Sequence, residues 1–158
     1  MTVESFLDTN ILLYAASRNP AHLSKKTRAA ELIERENFGL SAQVFQEFYA
    51  NATRKADVLM SAEAALRWIE NLEEFPCQSI DAGIVKAAIV ISERHKISYR
   101  DGAIIAAAEA LGADVLYSED LNHGQVYGSV LVTNPFLRLP PQAGFHEPQR
   151  VPFERDRA

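Results

Sequence analysis

Short apolar runs alternate along this chain with helix-periodic segments that open on capping residues, and that alternation leaves few folds open to it. Residues 3–7 read as a short strand ending in the polar triplet Asp8-Thr9-Asn10, and the apolar run 11–16 behind it reads as a helix started by those caps. A second helix covers about residues 24–36, with Leu32 and Ile33 on its buried side. Phe38-Gly39-Leu40 is a buried strand, and Ser41 caps a helix in which Val44, Phe45, Phe48 and Ala52 recur at helical spacing. Ser61 opens a helix through Leu66, Trp68, Ile69 and Leu72 that stops before Pro76.

The second half repeats the pattern. Residues 78–80 form a short strand, and Asp81 caps a helix with Ile84, Val85, Ala88, Ile89 and Ile91 inside. An alanine-rich helix, 99–111, ends at Gly112, a residue suited to the left-handed C-terminal stop. Residues 113–117 are a strand of the parallel, buried kind, and 130–133 make a last strand before Asn134-Pro135. The expectation is an α/β fold, a three-layer α/β/α sandwich on a mainly parallel sheet, occupying residues 1–139. Residues 140–158 differ: they hold four of the seven prolines and little apolar periodicity, and read as a C-terminal tail rather than a second domain.

Composition narrows the function classes. A chain of 158 residues, 47% hydrophobic and 23% charged, is long enough for one sizeable core. No apolar run is long enough to span a bilayer, and no basic segment precedes the first apolar residues, so a cytoplasmic protein without membrane attachment is expected. The single cysteine, Cys77, has no internal disulfide partner. The net charge of −5 argues against a generic nucleic-acid-binding module, which is usually basic, and is compatible with a local acid cluster that takes a divalent cation.

In an open α/β sheet, chemistry collects at the C-terminal ends of the strands. Asp8 closes the first strand, and Asp120 lies just past the strand 113–117. Asp101 sits in the first turn of the helix 99–111, and Glu47 stands on a polar stripe, Gln43, Glu47 and Asn51, spaced by fours on one helix face. Each acid alone has a structural explanation. Asp8 suits a helix cap, and Ser98-Tyr99-Arg100-Asp101 fits a capping box. Glu47 suits a solvated face, and Asp120 a turn. Jointly they say more, because strand-end acids sharing one sheet edge repel unless a cation lies between them. An all-carboxylate set selects a hard ion, Mg²⁺ or Mn²⁺. The scattered His22, His95, His123 and His146 and the lone Cys77 make no zinc set.

Four segments in order, FLDTNILLYA, SAQVFQEFYANATRK, YRDGAIIAAAEALGADVLYSEDLNHGQ and LVTNPF, resemble the PIN-domain family, and within it the VapC-type toxins of bacterial toxin–antitoxin pairs. The resemblance runs from Phe6 to Phe136. It implies an endoribonuclease dependent on Mg²⁺ or Mn²⁺, often a homodimer, acting on RNA and inhibited by a small VapB-type antitoxin. Carried over by position, it makes Asp8, Glu47, Asp101 and Asp120 metal ligands and catalytic residues, with Asn10 and Ser118 in support. It selects Glu47, which spacing alone does not. Glu119 matches a variable position and is set aside.

Among the basic residues near these acids (Arg54, Lys55, Arg94, His95, Lys96 and Arg100), most suit solvated helix ends. Arg100, next to Asp101, is the candidate contact for RNA phosphate. Phe45, Phe48 and Tyr49 read as core rather than as stacking platforms. Two other readings compete. An aspartate-nucleophile phosphatase would use Asp8, but Asn10 stands where such sites commonly carry a second acid. A non-catalytic metal-binding module would hold the ion without chemistry.

Overall fold

The computed structural model describes residues 2–137, so the tail expected at 140–158 lies outside the described residues. The strands are β1 (Ser5–Leu7), β2 (Phe38–Ser41), β3 (Cys77–Gln78), β4 (Val115–Tyr117), β5 (Val126–Tyr127) and β6 (Val130–Thr133). The helices are α1 (Thr9–Ala16), α2 (Leu23–Arg35), α3 (Ala42–Ala52), α4 (Ala62–Leu72), α5 (Ala82–His95) and α6 (Tyr99–Ala110). One six-stranded sheet runs in the order β3-β2-β1-β4-β6-β5. Every neighbouring pair is parallel except β5 with β6.

Both faces of the sheet are covered, and burial shows why. Consecutive residues of a strand point to opposite faces, yet Ser5, Phe6 and Leu7 are all buried, as are all four residues of β2. One face needs only alternate residues buried; a continuous run needs helices on both sides. Helix α1 packs on α2 and α3, while α5 and α6 pack on each other and α6 lies along β2, β4 and β6. Phe6, Leu7, Leu40, Leu116 and Val132 from the strands meet Ile11, Leu12, Leu32, Phe48, Ile104 and Ile105 from the helices in one core. The three-layer α/β/α expectation is met.

The caps read in the sequence are in place. Thr9 N donates to Asp8 Oδ1 at 2.7 Å, Val44 N to Ser41 Oγ at 3.2 Å, Ala64 N to Ser61 Oγ at 3.1 Å and Ile84 N to Asp81 Oδ1 at 2.9 Å. Gly112, at φ +78°, turns the chain out of α6, and Ala113 N closes back on Ala108 O at 3.0 Å.

Local features differ from the expectation: β3 is Cys77–Gln78 where 78–80 is expected, and β4 starts at Val115 where 113 is expected. The first strand starts at Ser5 because Val3 N and Glu4 N donate to Leu111 O and Asn37 O outside the regular ladder. A 3-10 turn at Pro20–His22, capped by Asn19 Oδ1 on Ala21 N at 2.9 Å, precedes α2. The edge hairpin β5–β6 turns on Gly128-Ser129, with Gly128 at φ +62°. Among the described residues no helix is long and apolar enough to cross a membrane.

Candidate functional site

Because β1 and β4 are parallel neighbours, paired Leu7 to Tyr117, they deliver Asp8 and the segment 118–120 to the same sheet edge. Asp8 N donates to Tyr117 O at 3.0 Å, so the ladder holds one residue beyond β1 and fixes the carboxylate against β4. The Asp8 side chain is wholly buried. Besides capping α1, it accepts from Ser118 Oγ at 2.8 Å. Ser118, also wholly buried, in turn accepts from Asp120 N at 3.1 Å. Asn10, in the first turn of α1, donates to Asp120 Oδ2 at 3.1 Å and accepts from Glu119 N at 3.3 Å. Asn10 and Ser118 thus pin the 118–120 segment from two sides.

Helix α3 brings Glu47 to the same place from the other flank. Thr9 Oγ1 donates to Glu47 Oε1 at 2.6 Å, and Gln43 Nε2, one turn earlier, donates to Oε2 at 3.2 Å. The stripe read in the sequence therefore faces inward: Gln43 also donates to Arg100 O at 3.1 Å, and Asn51 Nδ2 to Glu47 O at 2.8 Å.

Helix α6 supplies the last acid and a cation. Ser98 Oγ accepts from Asp101 N at 3.1 Å, so Asp101 does occupy the capped first turn. Its carboxylate nonetheless takes part in the cluster. The Arg100 guanidinium donates through Nη1 to Asp101 Oδ1 at 2.9 Å and through Nη2 to Asp8 Oδ1 at 2.7 Å. It grips Glu47 with two further bonds, Nε to Oε2 at 3.0 Å and Nη2 to Oε1 at 2.6 Å. Asp8, Glu47 and Asp101 converge on one positive group, and Asp120 joins them through Ser118 and Asn10.

The electrostatics follow from burial and from that guanidinium. Burial pushes the Asp8 carboxyl above its ordinary range, and the bonds from Arg100, Ser118 and Thr9 reverse this only in part. Burial also acts against ionised Glu47, but Arg100, Thr9 and Gln43 outweigh it and its carboxyl is lowered. Arg100 is held charged, its own burial outweighed by Glu47, Asp8 and Asp101.

The donor set fits a hard divalent cation in kind: Asp8, Glu47 and Asp101 meet at one positive group, and Asp120 lines the same cleft as Glu47 and Asp101. As the side chains stand, no group of three or more His, Cys, Asp or Glu among the described residues closes tightly enough to hold an ion. The centre of the acid ring is taken by Arg100.

An open cleft of 740 Å³ leads to this ring. Thr9, Asn10, Glu47, Arg100, Asp101 and Asp120 are among its lining residues, together with His22, Lys55 and Asp57. Asp8 does not line it. Glu119, set aside in the sequence, lines the cleft too: it accepts from Tyr14 Oη at 2.8 Å and pairs with Lys25. Only its adjacency to Asp120 signalled this, since Lys25 and Tyr14 reach it from far along the chain. Of the three aromatics expected in the core, Phe48 is fully buried and Phe45 partly so, but Tyr49, on the outer side of α3, is exposed. His95 packs edge-on against Tyr127 rather than lying free at its helix end.

The sequence profile of the PIN domain matches residues 5–129. Among curated protein sequences none matches significantly. Several solved structures share the fold at low identity. A Klebsiella pneumoniae toxin–antitoxin complex is 18% identical with a TM-score of 0.62, over 84% of this chain and 98% of that one. Mycobacterium tuberculosis VapC20, a toxin that cleaves the sarcin–ricin loop, is 19% identical with a TM-score of 0.61, over 74% and 90%. A DNA-bound VapBC from Salmonella typhimurium is 17% identical with a TM-score of 0.56, over 83% and 97%. With the profile covering most of its length and all four acids at one sheet edge, the chain belongs to the PIN domain family.

Proposed function

We propose that this chain is a metal-dependent endoribonuclease and the toxin of a toxin–antitoxin pair. The observation that carries the reading is the convergence of Asp8, Glu47, Asp101 and Asp120, from four separate segments, at the C-terminal edge of β1 and β4. These four carboxylates would hold Mg²⁺, or Mn²⁺, as an all-oxygen set. When bound, the ion lowers the pKa of a water and neutralises charge developing on the phosphodiester.

The chain's own residues supply the positioning. Asn10 and Ser118 orient Asp120, and Thr9 and Gln43 orient Glu47. The cleft is open to solvent, and Arg100 lines it beside Glu47, Asp101 and Asp120. The sarcin–ricin-loop cleavage by VapC20 supports RNA as the substrate class, and the toxin–antitoxin complexes support a small VapB-type antitoxin as inhibitor. A cytoplasmic homodimer completes the reading.

The test is direct. Purified protein incubated with structured RNA should cleave it with Mg²⁺ or Mn²⁺, stop with EDTA, and lose cleavage in Asp8→Asn and Asp101→Asn. Cleavage undiminished by EDTA defeats the metal mechanism, and intact RNA under every condition defeats the nuclease reading.

A further inference from the structure

Arg100 is oriented in an unexpected way for a phosphate contact. It precedes Asp101 at the open end of α6, where a guanidinium reaching into the cleft would meet substrate, yet its donors turn inward. Nε and Nη2 grip both oxygens of Glu47, Nη2 also reaches Asp8 Oδ1, and Nη1 reaches Asp101 Oδ1. Nη1 lies 3.4 Å from Asp8 Oδ2 as well, so both oxygens of the buried Asp8 face the guanidinium. Arg100 lines the cleft and Asp8 does not. The guanidinium therefore lies between the cleft and the most deeply buried of the four acids.

A divalent ion at this ring would need the oxygens that Arg100 now occupies. Two cations cannot share them at bonding distance, because they would repel at close range and each needs the same lone pairs. With the guanidinium among them, no group of three or more His, Cys, Asp or Glu among the described residues stands close enough together to hold an ion. The Arg100 side chain is one-third exposed and lines the open cleft, so the path away from the acids leads toward solvent.

We propose that Arg100 is a tethered competitor of the metal ion: it holds Asp8, Glu47 and Asp101 together as their resident cation, and a divalent ion loads only as the guanidinium swings out into the cleft. Being part of the chain, it competes at a high effective concentration that dilution does not change. Once displaced, it faces the position of the substrate phosphate. Its contact with RNA is thereby conditional on metal loading. The proposal rests on the metal-dependent reading above.

The test measures Mn²⁺ affinity by calorimetry, without substrate, for wild type, Arg100→Met, Arg100→Lys and a control, Lys55→Met. The control removes a positive charge from the same cleft without removing a group bonded to the acids. Arg100→Met should bind Mn²⁺ about tenfold tighter or more, equivalent to about 1.4 kcal/mol. Lys55→Met should stay within about twofold of wild type, since its charge acts through solvent. Arg100→Lys, which keeps the charge but loses the planar fork, should fall between; it also serves if the Met variant fails to fold. Equal affinity in wild type and the Arg100 variants, or an equal gain in Lys55→Met, overturns the competition and leaves the metal reading standing. No Mn²⁺ binding by any of the proteins defeats the metal reading and the competition with it.

Discussion

Replacing Gly102 with alanine sets two effects of opposite sign against each other, and the structure says which should win. Gly102 follows Asp101 in α6 and lies against α5. A Cβ there would stand 2.7 Å from Ala88 O and 3.1 Å from Ser92 Cβ. Alanine gains about 1 kcal/mol over glycine in a helix interior, and less this close to a helix start. Against this stands the overlap. The Ala88 neighbour is a main-chain carbonyl inside a helix and cannot rotate aside, so reaching the 3.4 Å of ordinary contact means moving one helix about 0.7 Å from the other. Overpacking of this kind costs about 1–3 kcal/mol. The net expectation is a loss of about 1–2 kcal/mol, or roughly 3–6 °C in Tm for a chain of this size.

The control is Gly83→Ala near the exposed start of α5, where the Cβ would meet only the Asp81 side chain, at 3.3 Å. That variant should be neutral or gain up to about 1 kcal/mol. Thermal unfolding of the two variants beside wild type is the assay. The displacement also carries Arg100 and Asp101 away from Asp8 and Glu47, so RNA cleavage by Gly102→Ala should fall about tenfold at temperatures where the protein is fully folded. A Gly102→Ala protein as stable as Gly83→Ala would refute the claim that close α5–α6 contact sets the position of Asp101.

Stability against pH should separate the two acids that Arg100 grips. The Asp8 carboxyl is raised by burial, so its contribution is present below the unfolded value and lost as pH rises through the folded one; metal-free Asp8→Asn should gain on wild type across that rise. The Glu47 carboxyl is lowered, so its contribution is present above the unfolded value and lost as pH falls through the folded one; Glu47→Gln should lose the corresponding acid-side decline in Tm. Parallel pH profiles for the two variants would contradict both assignments. Ser118→Ala takes the hydroxyl from the fully buried Asp8 Oδ2, leaving it the long Arg100 Nη1 contact at 3.4 Å, and removes the acceptor of Asp120 N; it should cost about 1–3 kcal/mol by denaturant unfolding. Asn10→Ala removes two of the bonds that hold the 118–120 segment, including the only one on the Asp120 carboxylate among the described residues, and leaves the Arg100 triad intact. It should reduce RNA cleavage at least about tenfold while costing no more than about 1–2 kcal/mol of stability; unchanged cleavage would remove Asp120 from the mechanism.

The parts legible in the sequence are those governed by neighbours along the chain. Ser41, Ser61, Asp81 and Ser98 start helices because a side-chain oxygen and the amide it accepts from lie three residues apart, and a single sequence displays that spacing. Strand-end logic found Asp8 and Asp120 for a related reason: the end of an apolar run is a local event. The β5–β6 hairpin had a local signal in Gly128-Ser129, but β5 is only two residues long and shows no alternation to flag it. The strand order was not readable, because β1 meets β4 through pairings more than a hundred residues apart. Glu47 needed the family resemblance, since a polar stripe on α3 looks the same facing water or facing Arg100.

Arg100 shows where local reasoning ends. Beside Asp101 and at the start of a helix, its sequence context suggests a phosphate contact, and that inference treats the acids as a finished site awaiting a ligand. In the structure the site falls into two parts. Asp8, Glu47 and Asp101 are tied by the guanidinium, while Asp120 is tied by Asn10 and by Ser118, with Ser118 bridging the parts through Asp8. Four formal negative charges against one positive leave the ring strongly cation-seeking even with Arg100 in place. The buried Asp8 would be costly to keep ionised with no positive partner at hand. A ring of this kind folds most readily with its own counter-cation and works only if that cation can yield. The one-third exposure of Arg100 beside the full burial of Asp8 satisfies both conditions, because the acid stays fixed in the sheet edge while the cation that neutralises it stands next to open solvent.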